Sequence, residues 1–214
     1  MRLLLLGCLV MTPLLLMGAD APKVEDGFTS LFNGKDLSGW TGDLEGYSAE
    51  NGTIICKPGG NLFTEKEYSN FVFRFEFKFT PGANNGLGIR APKGSTSVAS
   101  QAMELQILEN TAEKYNELEP WQYHGSVYGV VPAKRGFLKP VGEWNSQEVI
   151  ADGDHITITL NGHVILDTHL KEAVKNGAMD GKDHPGLLRT TGHIAFLGHD
   201  DVLWFRNIRI KELP

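Results

Sequence analysis

A chain of 214 residues with 41% hydrophobic content is long enough to bury a full core and too apolar to remain disordered. Its net charge is −6 and its basic residues are scattered, which argues against nucleic acid or an anionic membrane surface as a partner. Only two cysteines exclude a disulfide scaffold and a Cys-rich metal site, while 25 glycines between short apolar runs favour strands and turns over long helices.

The chain opens with Arg2, a leucine run at 3–6 and an apolar stretch to Met17, followed by the small residues Gly18, Ala19 and Ala21. A positive start, a short apolar segment and a small-residue finish read as a secretory signal over residues 1–21. The stretch is short and interrupted by Pro13, so no stable membrane insertion is expected. The expectation is therefore a mature domain over 22–214 in the periplasm or the medium. Cys56 is then its lone thiol, and packing alone must hold the core.

Asn33-Gly34 and Asn51-Gly52 mark turns, the second leading into a short strand at Thr53–Cys56. Phe71–Phe79 carries phenylalanine at every odd position and Val72, Arg74, Glu76 and Lys78 between them. That period of two predicts a strand with one buried and one polar face. Residues 86–90 and 102–109 follow as two further strands. Leu87 and Ile89 share one face of the first, and Met103, Leu105 and Ile107 one face of the second. Strands are also expected at 146–151, His155–Leu160, 164–167, Gly192–Gly198 and 203–210, with Asn161-Gly162 closing a hairpin. Many short strands between turn signals indicate an all-β sandwich of two antiparallel sheets. Two long connections, 110–139 and 168–191, have the length of functional loops, the second with a short helix near 170–176. His184, ahead of Pro185, reads as a loop residue.

If the apolar sides of 86–90 and 102–109 face the core, Arg90, Glu104 and Gln106 share the opposite face, and Gly86 and Gly88 leave it open. A cation, a carboxylate and an amide in a shallow groove suit a sugar, whose hydroxyls need paired donors and acceptors once desolvated. Tyr123, His124, Tyr128 and Trp144 are candidate substrate contacts beside that groove. His193 and His199 share a parity on the strand at 192–198 and can join it, His199 as a base near neutral pH. Glu104 and Glu109 distantly resemble the carboxylate pair of laminarinase-type glycosidases. In a regular strand, however, they face opposite sides.

These segments together resemble the bacterial 3-keto-disaccharide hydrolase family, also described as 3-keto-glucoside 1,2-lyases and 3-keto-2-hydroxy-glucal hydratases. The resemblance rests on Phe28-Thr-Ser-Leu-Phe-Asn-Gly-Lys-Asp-Leu-Ser-Gly-Trp40, Asn84-Asn-Gly-Leu-Gly-Ile-Arg90, Met103-Glu-Leu-Gln-Ile-Leu108, Gly142-Glu-Trp-Asn145, and the closing run from Gly192-His-Ile-Ala-Phe-Leu-Gly-His199 to Phe205-Arg-Asn-Ile-Arg-Ile-Lys211. It implies a concanavalin-like jelly-roll β-sandwich that cleaves 3-keto-glycosides by elimination across C1–C2 and hydration. His199 or Glu104 would be its base, and Arg90 would stabilise the enolate, directly or alongside a metal. A divalent metal is a candidate cofactor, with Glu104, Gln106 and His199 as candidate ligands. Many members carry Gln-Asp-His-Gly where this chain has Leu197-Gly-His-Asp200, which keeps His199 and changes its neighbours. The competing reading is a non-catalytic carbohydrate-binding module on the same fold.

Overall fold

The computed structural model describes residues 24–95 and 97–214. The expected signal at 1–21 lies outside them. In chain order the strands are β1 (Thr29–Ser30), β2 (Trp40–Gly42), β3 (Tyr47–Glu50), β4 (Thr53–Cys56), β5 (Asn61–Tyr68), β6 (Phe71–Phe79), β7 (Asn84–Ala91), β8 (Met103–Leu108), β9 (Asn145–Asp152), β10 (His155–Leu160), β11 (His163–His169), β12 (Gly192–Gly198) and β13 (Leu203–Glu212). Two one-turn helices, α1 (Val98–Gln101) and α2 (Leu170–Ala173), interrupt them.

The strands form two antiparallel sheets. The larger runs β11-β10-β9-β6-β13-β4-β3, with β1 on β13, and the smaller runs β2-β5-β12-β7-β8. Neighbours such as β6 and β13 are far apart in sequence, which is the crossing topology of a jelly-roll sandwich. The alternation of β6 has the predicted effect: Phe71, Phe73, Phe75, Phe77 and Phe79 are buried while Val72, Arg74, Glu76 and Lys78 are half-buried. The phenylalanines meet the smaller sheet through Phe196 of β12, which lies 6.0 Å from Phe75 and stacks on Phe205 of β13 at 3.8 Å. Leu62, Leu87, Ile89, Leu105 and Ile107 complete that inner layer. The β10–β11 hairpin turns at Asn161 and Gly162, both at positive φ, as a two-residue hairpin turn requires.

Four strands, β1, β2, β3 and β5, and the helix α1 were not anticipated. β5 reads Asn-Leu-Phe-Thr-Glu-Lys-Glu-Tyr, and its three charged residues in succession hide the period. Its Leu62 enters the core, and its Phe63 joins a second apolar cluster on the outer side of the smaller sheet. That outer side is covered. Val98 of α1 joins Phe63, Ala91, Ala102, Ala195 and Leu197 in that cluster. Strand β8 is consequently buried at every position.

Candidate functional site

On the covered side of the smaller sheet lies a cavity of about 350 Å³, lined by Asn84, Ala99, Glu104, Gln106, Leu108, Tyr115, Leu118, Gln122, Tyr128 and His199. Strand parity builds its floor. β8 pairs with β7 so that Gly88 opposes Glu104 and Gly86 opposes Gln106. Both acid and amide therefore stand over glycines. A Cβ on Gly86 would sit 2.4 Å from Glu104 Oε1, so the carboxylate occupies space that only glycine leaves free.

The 110–139 connection forms one wall by pairing with the free edge of β8. Gln106 N–H donates to Ser126 O at 3.0 Å, Gly125 N–H to Gln106 O at 2.8 Å and Tyr128 N–H to Glu104 O at 2.9 Å. The last bond sets Tyr128 beside Glu104. Its ring receives the edge of Trp121 at 5.1 Å, and its hydroxyl accepts from Gln122 Nε2 at 3.2 Å. On the far side β12 ends at Gly198 and delivers His199, half exposed, with Nε2 4.0 Å from Glu104 Oε1.

The fold lowers the other described carboxyls that it shifts, and raises this one. Glu104 is 8% exposed, and burial without a close cation pushes its carboxyl up to about 7. Partial burial holds the His199 imidazolium below its usual range, against the opposing pull of Asp201 and Asp200. At neutral pH the cavity thus holds an acid that is part-protonated and a base that is largely free. The gap of 4.0 Å is too long for a direct hydrogen bond. Gln106 Nε2 donates to Asn84 Oδ1 at 2.9 Å, which leaves Gln106 Oε1 buried without a partner. An orphan acceptor in a concave site is matched by a hydroxyl donor. Among the described residues no group of three or more His, Cys, Asp and Glu side chains could hold a metal ion; besides Glu104 and His199 the polar lining of the cavity is neutral, from Asn84, Gln106, Tyr115, Gln122 and Tyr128.

Of the expected site residues, the structure brings together Glu104, Gln106, Tyr128 and His199, and it disperses the others. Arg90 does not share their groove. It has φ +52, and between His193 and Ala195 of β12 the register of β7 shifts from Ala91 to Gly88. This bulge breaks the parity that would have put Arg90 on the face of Glu104 and Gln106. The guanidinium turns to the carbonyls of Ser69 (2.9 Å), Gly153 (2.6 Å) and Arg189 (3.2 Å) and to Asn70 Oδ1 (3.2 Å). It is a buried brace across the β5–β6 and β9–β10 turns. The same bulge moves His193, whose Nδ1 bonds to Thr64 O at 2.8 Å and whose Nε2 faces Glu67 at 3.4 Å. His124 lies in the core against Phe77 and Phe79. Its Nδ1 accepts from Leu108 N–H and its Nε2 donates to Gln147 Oε1, and burial lowers its imidazolium to about 4. Tyr123 is buried beneath Arg135 at 3.7 Å. Trp144 lies on the outer face of the larger sheet, 4.0 Å from the Arg206 guanidinium.

Glu109 is equally remote as a second carboxylate. It accepts from Gly82 N–H at 2.8 Å and Thr111 N–H at 2.7 Å, which ties the loops at the end of β8. The glycosidase-type pair is therefore absent. Sequence reasoning missed Asn84, Tyr115 and Gln122 as lining residues, although the last two fall in the connection whose length flagged it.

Comparisons with known proteins bear on the family and the fold. A 3-keto-disaccharide hydrolase of Bacteroides thetaiotaomicron is 26% identical, over 90% of this chain and 80% of its own. Two solved structures of candidate glycosyl hydrolases from Parabacteroides distasonis ATCC 8503 superpose with TM-scores of 0.76 and 0.77. They are 29% and 28% identical, and the matches cover 87% and 88% of this chain and 99% and 94% of theirs. The model of the 3-keto-alpha-glucoside-1,2-lyase-like domain matches residues 27–211, and the chain belongs to that family of carbohydrate-active enzymes.

Proposed function

We propose that this protein cleaves 3-keto-glycosides in the Glu104 cavity, by elimination across C1–C2 followed by addition of water. The observation that carries the reading is the buried carboxyl of Glu104 facing the cavity 4.0 Å from the His199 imidazole, with burial pushing that carboxyl up to about 7. A ketone at C3 acidifies the C2 hydrogen. Removal of that proton forms an enolate, its electron pair moves into C1=C2, and the C1–O bond breaks as the leaving oxygen takes a proton. Water adding back at C1, with a proton returned to C2, gives net hydrolysis. The chemistry needs one group to accept a proton and one to give it, both poised near the working pH. His199 suits the first task and Glu104 the second, and the two exchange tasks as water adds.

Arg90 is tied elsewhere, so charge at the C3 oxygen falls to the donors at the floor of the cavity, the Gln106–Asn84 amide pair and the Tyr128 hydroxyl. A pure binding module has no use for an unpaired, desolvated carboxyl, whose ionisation works against the fold. The start of the chain supports export as a further part of the reading, and N-terminal sequencing of secreted protein checks it.

The test is a paired assay of a 3-keto-glucoside, its C2-deuterated form and the unoxidised glucoside. Turnover of the keto sugar alone is expected. Retention of the keto sugar without conversion would mean a binding module.

A further inference from the structure

We propose that Asp180 and His184, on the 168–191 connection, are a positioning pair that sets the spacing of the two walls of the Glu104 cavity and so tunes how tightly the sugar is held. The proposal rests on reading that cavity as the sugar site. Neither residue lines it, and both side chains are buried, at 4% and 7% exposed. His184 Nδ1 meets Ala99 O at 3.1 Å, and Nε2 meets Asp180 Oδ1 at 3.1 Å and Oδ2 at 3.2 Å. Both ring nitrogens therefore face acceptors, one on Ala99 and the other on Asp180. The result is a buried, hydrogen-bonded pair with one arm on α1.

The other arm is on the opposite wall. Asp180 N–H donates to Gly129 O at 3.0 Å, next to Tyr128. Gly129 has φ +77, and a Cβ there would lie 2.6 Å from Asp180 Oδ2 and 2.8 Å from His184 Cε1, so the pair is packed directly on that backbone. A third tie runs from Gly186 N–H to Ser100 O at 3.1 Å. Ala99 and Tyr128 are the walls so joined.

Helix α1 needs such a tie. It is a single turn, and its N-cap residue Ser97 makes no side-chain cap bond. A helix of that length has no stability of its own, so its place is set by what it is fastened to. A buried, hydrogen-bonded polar pair adds little net stability, but it holds a fixed geometry.

The experiment compares wild type with Asp180→Asn and His184→Ala in two measurements. Steady-state kinetics on the 3-keto-glucoside should show KM raised roughly ten- to hundredfold, as expected when a cavity wall moves by about an ångström, with the pH profile of kcat unchanged because Glu104 is untouched. The ring resonances of labelled Tyr128 should shift in both variants without substrate. If both variants are less heat-stable while KM and the Tyr128 resonances match wild type, the pair is a structural brace and the proposal is overturned. A wild-type protein inert toward the keto sugar would refute the proposed function instead, and the Tyr128 resonances alone would then decide the positioning role.

Discussion

The outer faces of the two sheets are built to opposite rules. On the larger sheet, outward side chains are half-exposed and satisfied. Arg74 pairs with Glu148 at 2.6 Å, Arg206 with Glu76 at 2.7 Å, and Lys78 lies 4.5 Å over Trp204. On the smaller sheet, loops and α1 cover the outward side chains, and the polar groups there are under-partnered. Glu104 has only an imidazole 4.0 Å away, and Gln106 Oε1 has nothing. Pairing in water's reach marks a surface that stays folded and soluble. Unpaired polar groups under cover cost stability, and a fold keeps them where they have work to do.

Glu104→Gln tests that contrast most severely. It should lower kcat by roughly 10²–10⁴-fold with the fold intact. It also has a stability signature. The folded carboxyl binds its proton up to about 7 and the unfolded one only to about 4.5, so the native state holds more protons in that window. Wild-type stability should therefore decline as pH rises from about 4.5 to 7, by a Glu104 contribution on the order of 3 kcal/mol, and level off above. Glu104→Gln should flatten that slope, as thermal melts across the range will show. An unchanged slope would mean that the carboxyl is better solvated than its burial implies.

Phe75→Ala strikes the core that both sheets share. It should destabilise by roughly 3–5 kcal/mol in denaturant titrations, since Phe75 is 1% exposed and touches Phe73, Phe77, Phe196 and Phe205. Gly86→Ala is subtler. A methyl 2.4 Å from Glu104 Oε1 must displace that carboxylate, so activity should fall by roughly tenfold or more while stability changes by at most about 1–3 kcal/mol. Arg206→Ala, on the satisfied face, should have the smallest effect: about 0–1 kcal/mol in a melt, and none on turnover. A large loss of activity there would dissolve the distinction between the faces.

The residues that converge and those that scatter differ in one respect. Glu104, Gln106 and the glycines opposite them lie in regular pairing, where counting by two holds. Arg90 and His193 lie at the bulge, where Arg90 has positive φ and the count fails. Nothing local distinguishes Ile-Arg-Ala from any other strand end. Likewise His124 and Tyr128 fall four residues apart in one loop, and only the loop's pairing with β8 sends the first to the core and the second to the cavity.

By itself the sequence determined the β class, the buried face of Phe71–Phe79, the Asn-Gly hairpin and the strand that carries Glu104 and Gln106. These follow from short-range periodicity and turn chemistry, which the chain carries locally. Tertiary structure decided which polar residues meet. It set His199 against Glu104, withdrew Arg90 into a brace and fastened the 168–191 connection to both cavity walls. Those outcomes depend on register shifts and on contacts between segments up to about a hundred residues apart, such as Ala99–His184 and Glu104–His199. Desolvation, which raises the Glu104 carboxyl, exists only once those segments have closed over it.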